Sequence, residues 1–148
     1  MLLKGSCHCG AVRFSVQSET PTPYMSCYCS ICRKTAGGGG YAINIMGRAD
    51  SLKVKGRTKS YRATRGGGER HFCPRCGSAL WVWDRRWAES VYPFASAIDS
   101  KLPAPKERQH ILLDSKAGWA HVPEGKRFRE YPKEAIIDWH RKRGLLAA

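Results

Sequence analysis

Short stretches in which apolar and polar residues alternate run through most of the chain. In residues 11–17 valine and phenylalanine alternate with polar side chains, the period-two pattern of a half-buried strand. Residues 51–56 alternate with charge in the same way, whereas 41–45 form a continuous apolar run typical of a buried strand. Further strands are predicted over residues 58–62, 78–83, 91–98 and 110–113. A turn at Gly56 predicts that 51–56 and 58–62 pair as an antiparallel hairpin.

The end of the chain has a different pattern. Residues 132–144 begin with Pro132, carry an apolar stripe through Ile136 and Trp139, and end in basic residues before Gly144. Proline at a helix start, cations in the last turn and a following glycine are helix boundary signals. We therefore predict one C-terminal helix over this segment.

The aromatic residues predict a packed β protein. Four of the five tryptophans are expected in the core or in a pocket wall, because tryptophan is usually well buried: Trp81, Trp83, Trp87 and Trp119. A loop is predicted at 101–105, which contains two prolines. The length of 148 residues fits a single domain covering 1–148.

The N-terminal residues and the hydropathy predict where the protein works. No apolar run approaches the roughly 20 residues that a membrane span needs. Cys7 also comes too early for the apolar segment of a signal peptide to precede it. We therefore expect a soluble, cytoplasmic protein with no membrane partner, in which thiols stay reduced and clustered cysteines bind metal.

The chain is strongly basic. It has 26 Lys and Arg against 12 Asp and Glu, a formal charge of +14. Seven cysteine thiolates and two Zn²⁺ ions would change this by −7 and +4, to +11. The densest charge lies between Arg48 and Arg70, with eight basic and two acidic residues. Such a surface attracts anions, although the simplest interpretation is a solvated strand face protected by its lysines.

Seven cysteines carry the candidate chemistry. Cys73 and Cys76 form a Cys-x-x-Cys-Gly knuckle, and the turn at Cys7 and Cys9 supplies two more sulfurs, giving the four that close a structural zinc site. Cys27, Cys29 and Cys32 remain, and three sulfurs leave a coordination position open for water or substrate. A disulfide framework, a redox thiol cluster at 27–32, and a structural site completed by a histidine are the alternatives.

Other residues near these motifs have two interpretations each. The run Gly37–Gly40 either holds a ligand against main-chain N–H groups or is a flexible connector. His8 and His71 flank structural ligands, so we interpret them as turn or supporting residues, with acid–base catalysis as the alternative. His110 has no assigned role.

In order and spacing, the motifs resemble those of a known family. Cys7-x-Cys9-Gly10, Cys27-x-Cys29-x-x-Cys32-Arg33 and Arg70-x-Phe72-Cys73-x-x-Cys76-Gly77-Ser78 closely resemble the glutathione-dependent formaldehyde-activating enzyme family, also called the centromere protein V/formaldehyde-activating domain. His110-Ile111 and Ser115-Lys116-Ala117-Gly118-Trp119 resemble its closing segment, so the likeness covers nearly the whole chain.

The resemblance implies a fold and two metal sites. The expected fold is mainly β, an Mss4-like β-tent of packed antiparallel sheets with a short C-terminal helix. Two zinc ions are implied, a structural one on Cys7, Cys9, Cys73 and Cys76 and a second, catalytic and labile one on Cys27, Cys29 and Cys32.

The resemblance also implies an activity. The family joins the thiol of glutathione to formaldehyde, giving S-hydroxymethylglutathione, or runs the reverse, as a carbon–sulfur lyase. Arg33, Lys34 and Arg70 are the expected contacts for glutathione carboxylates. The alternative is a zinc-stabilised basic binding module that contacts nucleic acid, which the scattered positions of the basic residues do not favour. The thiol, the aldehyde and the oligomeric state are not specified by the sequence.

Overall fold

The computed structural model describes residues 1–146, which form twelve β-strands and two short helices. The strands are β1 (Leu2–Ser6), β2 (Arg13–Gln17), β3 (Met25–Cys27), β4 (Ala42–Ile43), β5 (Gly47–Arg48), β6 (Lys53–Lys55), β7 (Lys59–Tyr61), β8 (Glu69–Phe72), β9 (Ala79–Trp83), β10 (Ser90–Pro93), β11 (Gln109–Ile111) and β12 (Lys126–Arg127). The helices are α1 (Ser30–Ala36) and α2 (Ile136–Lys142). Within the described residues neither helix could cross a membrane.

Three sheets make up the molecule, which confirms the predicted mainly β fold. Their strand orders are β1-β2-β6, β5-β10-β9-β8-β7 and β12-β11-β3-β4. The first two sheets are antiparallel. The third is mixed, because β11 runs parallel to both β3 and β12, so the expectation of antiparallel sheets alone is wrong there.

The predicted hairpin of residues 51–56 and 58–62 is wrong. Both segments are strands, but β6 pairs with β2 and β7 pairs with β8, in different sheets. Gly56 has a φ of +99°, and a Cβ there would lie 2.1 Å from the carbonyl oxygen of Ala11. This close approach lets the chain leave the first sheet at Gly56 and enter the second.

The ends of the chain also differ from the predictions. Strand β1 and helix α1 were not predicted, and α2 is only seven residues long. It begins at Ile136, and residues 132–135 are not helical. Its apolar residue Trp139 is buried and stacks on Tyr24, with ring centroids 4.1 Å apart. The type of element is therefore confirmed and its N-terminal boundary is wrong.

The buried residues form two clusters that carry the cysteines. The first contains Cys7 and Cys73 together with Phe14 and Trp81, whose rings meet edge to face at 5.2 Å. The second contains Cys27 and Cys32 with other residues of the third sheet and its neighbours. Each set of thiols is thus anchored in its own apolar cluster, which fixes the positions of the sulfurs.

The prediction for the tryptophans holds for two of the four. Trp81 is buried and Trp83 packs against the first cluster. Trp87 and Trp119 are 54% and 71% exposed, so their expected burial is wrong. Trp87 is the last residue of a charged 3-10 turn that begins at Arg85, and the guanidinium of Arg86 lies over its ring, 5.0 Å from the ring centroid.

Candidate functional site

Four cysteines from distant parts of the chain form one cluster. The sulfurs of Cys7, Cys9, Cys73 and Cys76 all lie within 4.8 Å of one another. Cys7 and Cys9 follow β1, and Cys73 and Cys76 follow β8. The cluster therefore joins the first sheet to the second, and its four sulfurs could hold a metal ion in a closed tetrahedral site.

The two turns that supply these sulfurs have the same construction. Gly10 and Gly77 each follow a cysteine and each adopt a φ of +76°, a region that other residues resist. The N–H of Val12 donates to Cys7 Sγ at 3.2 Å. The Ser78 hydroxyl, followed by backbone N–H groups, lowers the pKa of Cys76 to about 5. Such donors favour the thiolate form that a metal binds.

The remaining three cysteines form a second cluster. Cys27 ends β3, Cys29 precedes α1 as its N-cap, and Cys32 lies in the first turn of α1. Their sulfurs also lie within 4.8 Å of one another. The helix start shapes the group directly, because the N–H of Cys32 donates to Cys29 Sγ at 3.2 Å.

One of these three thiols carries the negative charge most readily. The pKa of Cys29 is lowered to about 2, first by hydrogen bonds from the thiols of Cys27 and Cys32 and then by backbone N–H groups. The guanidinium of Arg70 contacts the cluster at Cys32, with Nη1 and Nη2 each 3.7 Å from Cys32 Sγ. A cation therefore balances the charge that three clustered sulfurs concentrate.

The second cluster stops at three ligands. No further Cys, His, Asp or Glu within residues 1–146 joins it at ligand distance. The buried His110 has both ring nitrogens engaged, Nδ1 with the Tyr28 hydroxyl at 3.4 Å and Nε2 with the Glu124 carbonyl at 3.3 Å. A tetrahedral metal on these three sulfurs would keep one position open, and nothing nearby supports completion by a histidine.

The other two histidines noted in the sequence lie beside the four-cysteine cluster. The backbone N–H of His8 donates to Ser78 Oγ at 3.0 Å, which ties the two cysteine turns together. His71 stacks on Trp81 and bonds to Thr58 Oγ1 at 3.1 Å and to Glu69 at 3.2 Å. These contacts agree with a supporting role for both residues. His71 also lines a cavity of about 300 Å³, as its alternative role in acid–base catalysis requires.

The three predicted substrate-binding cations lie in different environments. Only Arg70 contacts a cysteine sulfur. Arg33 is half-buried on α1, and its Nε is buried without a hydrogen-bond partner in the described residues. Lys34 is exposed on the same helix. The structure thus places Arg70 at the cluster and the other two on the helix that carries Cys32.

Two of the four consecutive glycines are closely packed. A Cβ at Gly37 would lie 2.1 Å from the Tyr41 carbonyl oxygen. Gly40 has a φ of +91°, and a Cβ there would lie 2.6 Å from Ala120 Cβ. The run therefore allows the chain after α1 to approach its neighbours closely, which explains glycine at these two positions.

A cavity of about 300 Å³ lies next to the three-cysteine cluster. Arg70 lines it, as does Thr35, which lies one turn after Cys32 on α1. The walls include Ala79 and Phe94, which belong to the same apolar cluster as Cys27 and Cys32. Tyr61, half exposed on β7, lies at its edge. Of these lining residues the sequence predicted Arg70. Sequence spacing could not predict the others, because they come from separate elements.

A second, larger groove of about 710 Å³ lies along the segment 126–134. Phe128 lines this groove and packs against the cluster containing Cys27 and Cys32. Tyr131 also lines it, and its pKa is raised by burial and then by the charge of the three cysteines. The three-cysteine cluster therefore has both a cavity and a groove near it.

Comparison with known proteins gives a consistent result. A family model described as glutathione-dependent formaldehyde-activating enzyme matches residues 2–114. A Halomonas elongata protein, named as a provisional glutathione-dependent formaldehyde-activating enzyme, is 58% identical to this chain, and the match covers 98% of both. A crystal structure of a Rhodobacter sphaeroides protein superposes with a TM-score of 0.56 at 28% identity, covering 68% of this chain and 91% of that one.

Proposed function

The chain belongs to the glutathione-dependent formaldehyde-activating enzyme family, and from this premise we propose that it joins a thiol to an aldehyde at Cys27, Cys29 and Cys32. The reverse direction would be that of a carbon–sulfur lyase. Glutathione and formaldehyde, as in the family's name, are the reference substrates.

The difference between the two cysteine clusters carries this proposal. One cluster has four sulfurs, which complete a tetrahedral metal site, and the other has three. The three-sulfur cluster is also the one whose sulfur contacts Arg70, and Arg70 lines the cavity of about 300 Å³. An incomplete ligand set next to a cavity is the arrangement expected where a substrate atom takes the last position.

The donor sets fit two zinc ions per chain. Sulfur-only sets of four and three suit Zn²⁺, since thiolates are among its preferred ligands in proteins. In the four-cysteine site the ion would be structural. In the three-cysteine site zinc would supply Lewis acidity, which lowers the pKa of a bound thiol and leaves a thiolate nucleophile near neutral pH.

The protein's own residues have three tasks in this reaction. Cys27, Cys29 and Cys32 hold the site as thiolates, helped by the N–H of Cys32 at Cys29 Sγ. The guanidinium of Arg70 offsets their charge through Cys32 Sγ, so that another anionic sulfur can approach. The mainly apolar walls of the cavity would offer the carbonyl compound a surface beside the cluster.

The chemical step is an addition without a redox change. The substrate sulfur forms a bond to the carbonyl carbon, the C=O π bond opens, and the oxygen takes a proton equivalent to the one that the thiol lost. The product is a hydroxyalkyl thioether. In the lyase direction the same C–S bond breaks, and the hydroxyl becomes the carbonyl again.

Metal content and turnover test the proposal together. We expect two zinc ions per purified chain, a second site stabilised by glutathione, and zinc-dependent formation of S-hydroxymethylglutathione above the spontaneous rate. Cys29→Ser should lose the second ion and the acceleration while the first ion remains. A Cys29→Ser protein with unchanged metal content and thiol binding would contradict the assignment.

A second candidate function follows from one surface. Lys4, Arg13, Lys53 and Lys55 share the outer face of the first sheet, because Lys4 and Lys53 flank Ser15 while Arg13 pairs with Lys55. None of the four forms an ion pair within residues 1–146. An unneutralised basic face supports binding of a polyanion such as nucleic acid, independently of the cysteine clusters.

A further inference from the structure

The cavity beside the three-cysteine cluster is much larger than formaldehyde requires. Its volume is about 300 Å³. A one-carbon aldehyde occupies on the order of 30 Å³, close to the share of one water molecule in the liquid. A cavity of this size instead falls at the lower end of the range for small-molecule sites. The difference leaves room for a substituent on the carbonyl carbon.

The walls of the cavity are mainly apolar. Phe72 and Phe94 contribute two aromatic rings, Ala79 a methyl group, and Tyr61 a third ring at the edge, and the lining is completed by Thr35, Arg70, His71 and Gly77. The Thr35 hydroxyl already donates to the Ile31 carbonyl at 2.6 Å, which leaves its methyl group as the main surface it offers. Such walls favour an alkyl or aryl group through burial of apolar surface.

The charged body of a peptide thiol does not suit this cavity. Glutathione carries two carboxylates and an ammonium group, and Arg70 is the one lysine or arginine among the lining residues, which all lie in the described chain. Both terminal nitrogens of Arg70 are directed at Cys32 Sγ. Burying carboxylates against phenylalanine without partners is costly.

The groove of about 710 Å³ carries more charged side chains than the cavity does. Its walls include three cations and three carboxylates: Lys126, Arg129, Lys133, Asp114, Glu130 and Glu134. Arg129 pairs with Asp114 and Lys142 pairs with Glu134, so within residues 1–146 the side chains left to meet a ligand with both signs of charge are those of Lys126, Lys133 and Glu130. The groove thus has more charged side chains than the cavity, and glutathione is likewise more highly charged than an aldehyde. The charged thiol matches the groove, and the carbonyl compound is left with the apolar cavity.

We propose that the preferred carbonyl substrate of this chain is an aldehyde with an apolar alkyl or aryl group, which occupies the cavity lined by Thr35, Tyr61, Phe72 and Phe94. This inference rests on the proposed function and extends it. The addition is the same as with formaldehyde: the C–S bond forms, the C=O π bond becomes a C–O single bond, and the oxygen takes a proton. The product from an aldehyde RCHO is a thiohemiacetal with R on the new C–S carbon.

A substrate series tests the inference on the zinc-loaded protein. With glutathione fixed, kcat/KM is measured for formaldehyde, hexanal, benzaldehyde and phenylacetaldehyde; with formaldehyde fixed, for glutathione and benzyl mercaptan. We expect at least one apolar aldehyde to exceed formaldehyde by tenfold or more, since each buried methylene changes kcat/KM by about 10-fold or more. An advantage for benzyl mercaptan alone, in place of the aldehydes, would overturn the assignment to the aldehyde.

Filling the cavity should reverse the preference. Thr35→Phe is expected to lower the ratio of apolar aldehyde to formaldehyde kcat/KM by tenfold or more, whereas Thr35→Val, which keeps the methyl group and the side-chain volume, should leave the ratio within about twofold. Metal content and melting temperature establish that Thr35→Phe is folded. If it is not, Tyr61→Ala removes the aromatic ring at the exposed edge and should also lower the ratio, with Ser60→Ala as its neighbour control. An unchanged ratio in a folded, metal-loaded variant would overturn the inference.

A binding measurement separates this inference from the proposed function. Benzyl alcohol cannot react, so saturation-transfer NMR with it reports occupancy of the apolar cavity without turnover, and Thr35→Phe should abolish the signal. Acceleration with formaldehyde alone, without benzyl alcohol binding, would overturn only the inference. Absence of acceleration with every aldehyde would overturn the proposed function and the inference with it.

Discussion

The two terminal nitrogens of Arg70 lie equally far, 3.7 Å, from the sulfur of Cys32. Arg70 is on β8 and Cys32 is on α1, so the contact joins the second sheet to the helix that carries part of the three-cysteine cluster. Three residues after Arg70, the same strand delivers Cys73 to the four-cysteine cluster. One short segment therefore supports both sets of thiols.

Removing the charge of Arg70 should weaken metal binding at the three-cysteine site. Arg70→Met keeps much of the side-chain volume but leaves the Cys32 thiolate without its cation. We expect zinc affinity at this site to fall about 10- to 100-fold, the usual effect of losing a partner that supports a metal ligand. Competition with a chromophoric chelator measures the affinity. Arg65→Met, an exposed loop position, is the control, and an affinity in Arg70→Met equal to that control would contradict this role.

Loss of a ligand from each cluster should have unequal effects on folding. The four-cysteine cluster joins two sheets, so a metal bound there would contribute to the free energy of folding directly. Cys73→Ser should therefore destabilise the protein by several kcal/mol or unfold it. Cys29→Ser, in the partly exposed cluster, should melt within a few degrees of the wild type. Circular dichroism melts distinguish the two, and a stable Cys73→Ser protein would show that the first site is not structural.

The sequence predicted how the seven cysteines group into two clusters because their signals are local. A Cys-x-x-Cys-Gly turn and a three-cysteine run specify their geometry within a few residues, and the count of sulfurs pairs the Cys7 turn with the Cys73 turn. Helix α1 was not predicted, although it depends on the same local residues, since the sulfur of Cys29 caps its N-terminus. A cysteine cap is rare enough that no N-terminal helix signal was visible.

Long-range packing was beyond the reach of the pattern. Alternation identified β6 and β7 as strands, but the choice of partner depends on Gly56 passing close to Ala11, which no local signal reveals. The predicted burial of Trp87 and Trp119 was wrong for a similar reason. The general tendency of tryptophan to be buried does not specify which face of a turn contacts the core. The cavity walls come from α1, β7, β8, β9 and the segment after β10, and only the fold brings them together.

The protein should be more stable with glycine at position 112, in place of Leu112, than with alanine there. Leu112 has a φ of 57°, and it is the non-glycine residue within 1–146 with a positive φ. The left-handed conformation costs about 1–2 kcal/mol for residues with a Cβ, partly offset by the greater chain entropy of unfolded glycine. The free energy of unfolding, measured in urea, should therefore be about 0.5–1 kcal/mol higher for Leu112→Gly than for Leu112→Ala. Leu113→Gly and Leu113→Ala, at the next position, should show the reverse order, and a reverse order at Leu112 as well would exclude backbone strain there.

Acid should destabilise the protein through His140. This side chain is buried with Nε2 3.0 Å from the Tyr24 hydroxyl, and burial followed by the nearby Arg143 lowers its pKa from 6.5 to about 4. Between these values the unfolded chain binds a proton that the folded one does not, so stability falls as pH drops from 6.5 to 4. The loss amounts to at most about 3 kcal/mol.

His140→Gln should remove this part of the pH dependence. Melting temperatures between pH 7 and 4 compare it with the wild type, and His121→Gln, at an exposed position, is the control. Glu107, which pairs with Arg143, keeps its charge over most of this range because its own pKa is lowered by that arginine. Equal pH slopes in the wild type and His140→Gln would show that another group is responsible.

The basic face of the first sheet sets a quantitative limit on polyanion binding. If Lys4, Arg13, Lys53 and Lys55 each neutralise one phosphate of duplex DNA, the plot of log K against log salt should have a slope of about −3 to −4. Lys53→Glu with Lys55→Glu should reduce the slope by about half and leave turnover of thiol and aldehyde unchanged, because this face carries none of the seven cysteines. Lys101→Glu with Lys106→Glu makes the same change of charge at exposed positions outside the face. Equal losses in both pairs would mean that only net charge matters, whereas binding to anionic vesicles but not to DNA would identify a lipid surface as the partner.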